Sequence, residues 1–253
     1  MAQSDSGRIG ENTKATQGDF KSFKDIAYLY TSKCGNVYKA VNASTGRPVV
    51  LKTFNENAVD GQGAAILRNE YRILSKIKSD HVPKAIEYSL LGEGQYLAVE
   101  YVEGISLREY LERRRISAKE FLHIADQIVR ALSDVHDAGV IHKDINPGNI
   151  IYNNATRKAT IIDFGSATEF SRERSQSMEA AVPEGSLWYI SPEQTGRMNH
   201  VVDLRTDFYS LGVTFFEMLC GHPPFDSDNH SQILYLHLAT PPRRSATSTA
   251  KFP

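Results

Sequence analysis

The sequence has few of the features that mark several large classes of protein. It holds 2 cysteines, Cys34 and Cys220, far apart in 253 residues, too few for a disulfide framework or a cysteine-ligated metal site. No apolar run approaches the roughly 18 residues of a membrane-spanning helix, and the N-terminus lacks the apolar segment of a signal peptide. We therefore expect a cytoplasmic protein with reduced thiols and no membrane span.

The sequence also lacks an excess of charge of either sign. Its 29 Lys and Arg residues against 30 Asp and Glu residues give a formal net charge of -1. A protein that binds the phosphates of nucleic acid is usually strongly basic, so we expect no nucleic-acid partner. Apolar residues make up 41% and charged residues 23%, as is ordinary for a globular protein.

The pattern of apolar residues divides the chain into four segments. Residues 1–19 are polar and unpatterned and are interpreted as a disordered lead-in. Residues 20–103 hold short β-type runs, such as "NVYKAV" and "PVVLKTF", and one helical stretch over 63–78. Residues 104–242 are mostly helical, with the stretch 203–221 apolar enough to be buried on most sides, and 243–253 form a flexible tail. The sequence predicts an α+β fold with a small β-rich lobe and a larger helical lobe.

Five residues occur in the order that phosphoryl transfer requires. This chemistry needs positive charge on the phosphates, a carboxylate that holds Mg²⁺ and a carboxylate near the attacking hydroxyl. The chain offers Lys52 in "VVLK", Glu70 in "RNEYRIL", Asp144 and Asn149 in "HKDINPGN", and Asp163 in "DFG". Each motif alone is weak, because a strand lysine or a helical glutamate is usually surface charge. Their joint order and spacing point to a catalytic site.

This series is the recognised signature set of protein kinases. From about Asp25 to Pro242 the chain resembles a eukaryotic-type Ser/Thr protein kinase domain with a bilobal fold. The resemblance implies ATP and Mg²⁺ as cofactors and a protein as substrate. It places Lys52 on the α- and β-phosphates with Glu70 as its helix partner, Asp144 as catalytic base, and Asn149 and Asp163 as metal ligands. Further nucleotide contacts are implied for Gly35, Val37, Val50, Glu100, Val102 and Ile151.

Two later motifs extend the resemblance. Ser191-Pro192-Glu193 resembles the end of a kinase activation segment, and Asp207 in "TDFYSLG" matches the buried aspartate that braces the catalytic loop. "PEQTGRMN" followed by "DLRTDFYSLG" is similar to the N-terminal kinase-like domain of hybrid sensor histidine kinases. That similarity implies histidine-kinase or response-regulator modules that are absent from this chain. Kinase domains also continue after the region matching "HLATPP", so we expect an incomplete helical lobe and no partner for Glu193.

The chain departs from the kinase pattern at four positions. Tyr30 and Ser32 stand where the phosphate-binding loop of the family has glycine, and the Ser32 hydroxyl is a candidate substitute donor to phosphate. Asn146 stands where Ser/Thr kinases usually have a lysine that touches the γ-phosphate, and Lys143 replaces an arginine. These departures leave a pseudokinase scaffold or ATP-sensing module as an alternative function. A small-molecule phosphotransferase is a third, because those enzymes share an "HxDxxPGN" loop.

Overall fold

The computed structural model describes residues 20–32, 35–53, 63–89, 96–173, 187–197 and 201–242. The predicted lead-in, the predicted tail and Cys34 lie outside them. The strands of the described part are β1 (Phe23–Thr31), β2 (Asn36–Asn42), β3 (Pro48–Thr53), β4 (Ala85–Ser89), β5 (Tyr96–Glu100), β6 (Ile105–Ser106), β7 (Val140–Ile141), β8 (Ile150–Asn153), β9 (Lys158–Ile161) and β10 (Thr168–Glu169).

The described helices lie mostly in the second half of the chain. They are α1 (Gly63–Leu74), α2 (Leu107–Arg113), α3 (Ala118–Asp137), α4 (Phe170–Glu173), α5 (Arg205–Cys220) and α6 (His230–Ala239), with two short 3₁₀ turns at Pro147–Asn149 and Pro192–Thr195. Among the described residues, no helix is both long enough and apolar enough to cross a membrane.

The first lobe is built on an antiparallel sheet in the order β1-β2-β3-β5-β4. The predicted hairpin between β2 and β3 is present, and its turn is held by the side chain of Asn42. Its Oδ1 accepts hydrogen bonds from the backbone N–H groups of Ser44 and Thr45 at 3.1 and 3.0 Å. The hairpin places Lys52 of β3 directly opposite Val37 of β2.

Helix α1 packs one side against this sheet and ends earlier than predicted. The stretch up to Lys78 is helical only to Leu74, because the N–H of Lys76 bonds the carbonyl of Ile73 at 3.0 Å and tightens the last turn. The residues that α1 buries are Leu67, Glu70, Ile73 and Leu74. A glutamate therefore lies on the buried side of an otherwise apolar stripe.

The second lobe is organised around α3. Ser117 caps its start, where the Ser117 side chain accepts from the N–H of Glu120 at 3.2 Å, and Gly139 with φ +74 follows its end. The α3 stripe predicted to be buried is buried: Ile124, Ile128, Ala131, Leu132 and Val135. Two small sheets, β6-β8-β9 and β7-β10, lie beside it and carry the loops of the site.

Helix α5 is less buried than predicted. Its buried side includes Thr206, Asp207 and Leu211, but Phe208 and Leu219 are 52% and 45% exposed. Within the described residues, neighbouring elements cover one side of the helix and leave this face open. The predicted α+β fold with a β-rich first lobe and a helical second lobe is confirmed, while the residue boundaries given for the lobes stay predictions.

Candidate active site

The site lies where the two lobes meet and is centred on Lys52. Its Nζ is 2.6 Å from Oε1 of Glu70 on α1 and 2.7 Å from Oδ1 of Asp163, which follows β9. The hairpin and the buried side of α1 bring the lysine and the glutamate together. Residues that are 111 positions apart in sequence, Lys52 and Asp163, thus form one ion pair between the lobes.

The three charges shift one another's pKa values. Burial alone would lower the pKa of the Lys52 ammonium, but the carboxylates of Asp163 and Glu70 outweigh it and hold that pKa above its ordinary value. The Lys52 charge in turn holds the pKa of the Asp163 carboxyl below its ordinary value. Burial raises the pKa of Glu70, and Lys52 offsets only part of that rise. The ammonium and the Asp163 carboxylate therefore stay charged at neutral pH.

The backbone after Asp163 is fixed by the same glutamate. The N–H of Phe164 donates to Glu70 Oε1 at 3.2 Å, and the fully buried Phe164 ring packs edge-on against His142 with 4.6 Å between ring centroids. Asp163 itself has φ +66, a backbone conformation that non-glycine residues adopt rarely and that often marks functional sites. These contacts hold the Asp163 carboxylate toward Lys52.

The stretch from His142 to Asn149 forms a loop that presents Asp144. The Asp144 Oδ2 accepts from Nδ2 of Asn149 at 2.8 Å, and its Oδ1 accepts from Nδ2 of Asn146 at 3.0 Å. Asn146 is buried, and its own Oδ1 accepts from the N–H of Gly148 at 2.8 Å. Asn146 is thus directed into the loop, where it positions the carboxylate that the sequence assigns as the catalytic base.

Asp207 on α5 holds the backbone of this loop through hydrogen bonds, in agreement with its predicted bracing role. It is fully buried, and it accepts from the N–H groups of His142 and Lys143 at 2.9 and 2.8 Å. His136 Nε2 lies 2.8 Å from Asp207 Oδ2, and because a carboxylate only accepts, that nitrogen carries a hydrogen. Sequence reasoning missed His136, which is placed by the last turn of α3.

The donor set of the site fits a magnesium–nucleotide complex. Mg²⁺ is usually held by one or two protein oxygens together with phosphates. Asn149 donates through Nδ2 to Asp144, and no hydrogen bond among the described residues uses its Oδ1. The Asp163 side chain is 44% exposed despite its ion pair. Asn149 and Asp163 therefore offer one free amide oxygen and one accessible carboxylate.

The phosphate loop, residues 30–35, differs from what the sequence predicts for Ser32. Its Oγ donates to the carbonyl of Gly35 at 2.9 Å, and the N–H of Gly35 donates back to that Oγ at 3.3 Å. The serine hydroxyl therefore closes the loop, and its interpretation as a substitute donor to phosphate is not supported. Burial raises the pKa of the Tyr30 hydroxyl, which also lies within the field of Lys52 and Asp163. Lys33 and Cys34 lie outside the described residues.

The remaining predicted nucleotide contacts lie on β2, β3, β5 and β8 and in the segment that follows β5. Val37 is buried on β2, Val50 is half-buried on β3, and Glu100 ends β5 with an exposed side chain. Val102 lies in the segment between the lobes, and Ile151 lies on β8. The contact of these five residues with a nucleotide stays a proposal.

The expectation that Glu193 lacks a partner is wrong. Glu193 Oε1 accepts from the hydroxyl of Thr206 at 2.7 Å. The neighbouring Gln194 donates through Nε2 to the carbonyl of Lys143 at 2.8 Å, which ties this turn to the catalytic loop. The threonine one residue before Asp207 thus supplies the partner that the sequence did not indicate.

A set of contacts that the sequence did not indicate joins α1 to β10. The Glu169 carboxylate pairs with Arg72 at 3.2 Å and with Lys76, and Asn69 Nδ2 donates to the carbonyl of Ala167 at 2.8 Å. These groups hold α1, and with it Glu70, against the segment that follows Asp163. We call Glu169, Arg72 and Lys76 the α1 clamp. The sequence gives little indication of the α1 clamp, because Glu169 lies about 95 residues from its two partners.

The chain is similar to bacterial proteins named serine/threonine-protein kinases. It is 30% identical over 224 residues to pkn2 of Myxococcus xanthus, covering 87% of this chain and 27% of that protein. It is 33% identical over 208 residues to PrkC of Bacillus subtilis, with 80% and 31% covered. Identity to PknA of Mycobacterium tuberculosis is 32% over 221 residues, with 85% and 50% covered. The chain thus spans half or less of the length of these relatives.

The family match covers most of the chain. Residues 29–251 match the model of the protein kinase domain, and this range includes Lys52, Glu70, Asp144, Asn149 and Asp163. Because the match extends over more than half of the sequence, the chain belongs to the protein kinase domain family.

Proposed function

We propose that this chain is a catalytically competent Ser/Thr protein kinase domain that transfers the γ-phosphoryl group of Mg-ATP to a protein hydroxyl. The observation that carries the proposal is the assembled ion pair of Lys52 with Glu70 and Asp163, next to an Asp144 carboxylate held by Asn149. Membership in the family and the names of the relatives support this activity.

In this proposal each residue of the site has one role. Lys52, fixed by Glu70, neutralises charge on the α- and β-phosphates. Asp163 and Asn149 hold Mg²⁺, which supplies positive charge to the phosphates when bound. Asp144 accepts the hydrogen of the attacking hydroxyl as the general base, and the amides of Asn146 and Asn149 hold its two carboxylate oxygens in place.

Turnover is expected to be slow. Asn146 is neutral and is directed into the loop, so it adds no charge at the transferring phosphoryl group. Preorganised charge at that point is commonly a large part of the catalysis of phosphoryl transfer. The proposal therefore combines a complete set of metal-binding and base residues with a weakened electrostatic contribution.

The second candidate is a pseudokinase scaffold or ATP-sensing module within a larger protein. It is favoured by the phosphate loop, where Ser32 already occupies the N–H of Gly35 and Tyr30 replaces a glycine. A small-molecule phosphotransferase is less favoured, because Ser191 to Gln194 and Asp207 both brace the catalytic loop in the manner of the kinase activation segment.

We also propose that the domain belongs to a signalling protein of the hybrid sensor histidine kinase type and works in the cytoplasm. Support comes from "PEQTGRMN" followed by "DLRTDFYSLG". Sequencing the gene beyond the codon for Pro253 tests this context. A reading frame that continues into sensor and histidine-kinase modules supports the proposal, and any other continuation of the frame contradicts it.

Phosphotransfer from labelled Mg-ATP tests the activity directly. The wild-type chain is incubated with itself and with a generic serine- and threonine-rich protein, beside Asp144→Asn and Asp163→Asn. Asp126→Asn is the matched control, because that carboxylate is exposed on α3 and pairs only with Arg130 among the described residues.

We expect the wild type and Asp126→Asn to transfer label and the two site variants to lose about a hundredfold or more of that activity. A folded wild type that binds Mg-ATP and transfers nothing contradicts the proposal and favours the scaffold. Equal activity in wild type and Asp144→Asn also contradicts it.

A further inference from the structure

Arg108 on α2 lies beside the catalytic loop and has no role in the site described above. Its Nη2 is 3.5 Å from Oδ1 of Asn146, the residue that hydrogen bonds to the Asp144 carboxylate. Its guanidinium also lies 5.6 Å from the ring centroid of Tyr189, which comes from the segment before Ser191. Arg108 is therefore two hydrogen bonds from the proposed base.

The position of Arg108 is not explained by the stability of α2. It is the second residue of the helix, and cations are favoured in the last turn and disfavoured in the first. Arg113, in the last turn, pairs with Glu109, and the nearby Arg114 pairs with Glu120. Arg108, by contrast, has no carboxylate within ion-pair distance in the part of the chain that the structure describes.

The described side chains that contact the guanidinium of Arg108 include those of Asn146 and Tyr189. Gly148 lies beside the guanidinium as well, since a β-carbon at that position would be in ordinary van der Waals contact with Nε of Arg108, at 3.5 Å. Asn146 is neutral, and Tyr189 offers its ring face. The Glu217 carboxylate accepts the hydroxyl hydrogen of Tyr189. Arg108 is half-buried, where a charge is screened less by salt than at the surface.

We infer that Arg108 is a specificity-determining residue that binds an acidic side chain of the protein substrate near the acceptor hydroxyl. A guanidinium binds a carboxylate through two parallel hydrogen bonds and can keep its other face on an aromatic ring. It also offsets the repulsion between an acidic substrate and the Asp144 carboxylate. The inference rests on the proposed kinase activity and names the class of substrate: serines or threonines flanked by Asp or Glu.

Two peptides that differ only in the residues flanking one acceptor serine, aspartates in one and lysines in the other, test the inference. The kcat/KM of wild type is compared with that of Arg108→Glu and of Arg113→Glu, the matched charge reversal on the same helix. We expect wild type and Arg113→Glu to prefer the acidic peptide by about tenfold, equivalent to about one charged hydrogen bond. Arg108→Glu should lose or reverse the preference with the KM for ATP unchanged.

A second measurement needs no turnover. Fluorescence anisotropy of the same peptides, with alanine in place of the acceptor serine, gives the binding preference directly. If wild type transfers no phosphate yet binds the acidic peptide better, and Arg108→Glu does not, the proposed activity fails and the role of Arg108 stands. Arg108→Lys should keep part of the preference, and Arg108→Gln serves if Arg108→Glu does not fold.

Three outcomes overturn the inference. The first is a preference in wild type that Arg108→Glu and Arg108→Gln leave unchanged. The second is no preference in wild type by either measurement. The third is an equal fall in kcat for both peptides in Arg108→Gln with binding unaffected, since that result places the guanidinium on the transferred phosphoryl group instead of the substrate.

Discussion

The catalytic loop with its charged partners and the phosphate loop lie in the same site but are built differently. In the first, Asp207 is fully buried and accepts from His142, Lys143 and His136, so each donor has a fixed partner. In the second, Tyr30 is half exposed, and the side-chain hydrogen bonds of Ser32 with described residues are to Gly35 of the same loop.

The difference shows which parts of the site tolerate substitution. A buried carboxylate with several donors cannot be replaced without leaving unsatisfied groups, whereas a glycine in an exposed loop can be replaced at a small energetic cost. The residues proposed to hold the metal ion and to act as the base match the kinase pattern, and the residues proposed to cover the nucleotide depart from it. Measurements on both regions can sharpen or break this comparison.

The largest effect is expected at Asp207. Asp207→Ala removes the acceptor from two backbone N–H groups and from His136, which should lower the free energy of unfolding by about 3 kcal/mol. Urea unfolding measures this change. Asp126→Ala, at an exposed carboxylate paired with Arg130, should cost under about 1 kcal/mol. An equal loss of unfolding free energy in the two variants would contradict the claim that the buried carboxylate of Asp207 contributes more than the exposed one of Asp126.

The α1 clamp is expected to give an intermediate effect. Glu169→Lys places three cations together, pushes α1 away from β10 and thereby loosens the contact of Glu70 with Lys52. We expect kcat to fall about tenfold, from the loss of two partly exposed ion pairs. Steady-state kinetics measures this fall in kcat. The control is Glu109→Lys, which reverses an exposed charge on α2. An unchanged kcat would mean that α1 is held by its apolar side alone.

The smallest effect is expected in the phosphate loop, and it is a gain. Tyr30→Gly removes a ring near Lys52 and lets the backbone approach a phosphate, so the Kd for Mg-ATP should fall about fivefold, the value of roughly one net hydrogen bond. Isothermal titration measures the Kd. Tyr28→Gly is the control, since Tyr28 is on the same strand and is similarly exposed at 48%. Weaker binding in Tyr30→Gly would mean that the tyrosine supports the nucleotide.

Much of the fold and the centre of the site could be predicted from the sequence because their signals are local. Lys52, Asp144 and Asp163 each sit in a short motif, and the stripe of α3 repeats with the helical period. The buried Glu70 was predicted because the resemblance assigns it as the helix partner of Lys52, and the structure pairs the two at 2.6 Å.

What the sequence could not indicate depends on contacts between distant residues. His136 on Asp207, Thr206 on Glu193 and Glu169 on Arg72 join positions whose nearness is set by packing. The inward orientation of Asn146 was also hidden, because a substitution for lysine suggests only a lost charge. In the structure the amide makes four hydrogen bonds, two to Asp144, one from Gly148 and one from Arg108.

Thermal unfolding with and without Mg-ATP tests the central claim, that the site is assembled to bind nucleotide, most directly. A ligand that binds only the folded state must raise the midpoint of unfolding. We expect the midpoint of wild type to rise with Mg-ATP and the midpoints of Lys52→Ala and Asp163→Ala to stay unchanged. A wild type that unfolds cooperatively with no shift would contradict the account and leave the domain as a scaffold without nucleotide.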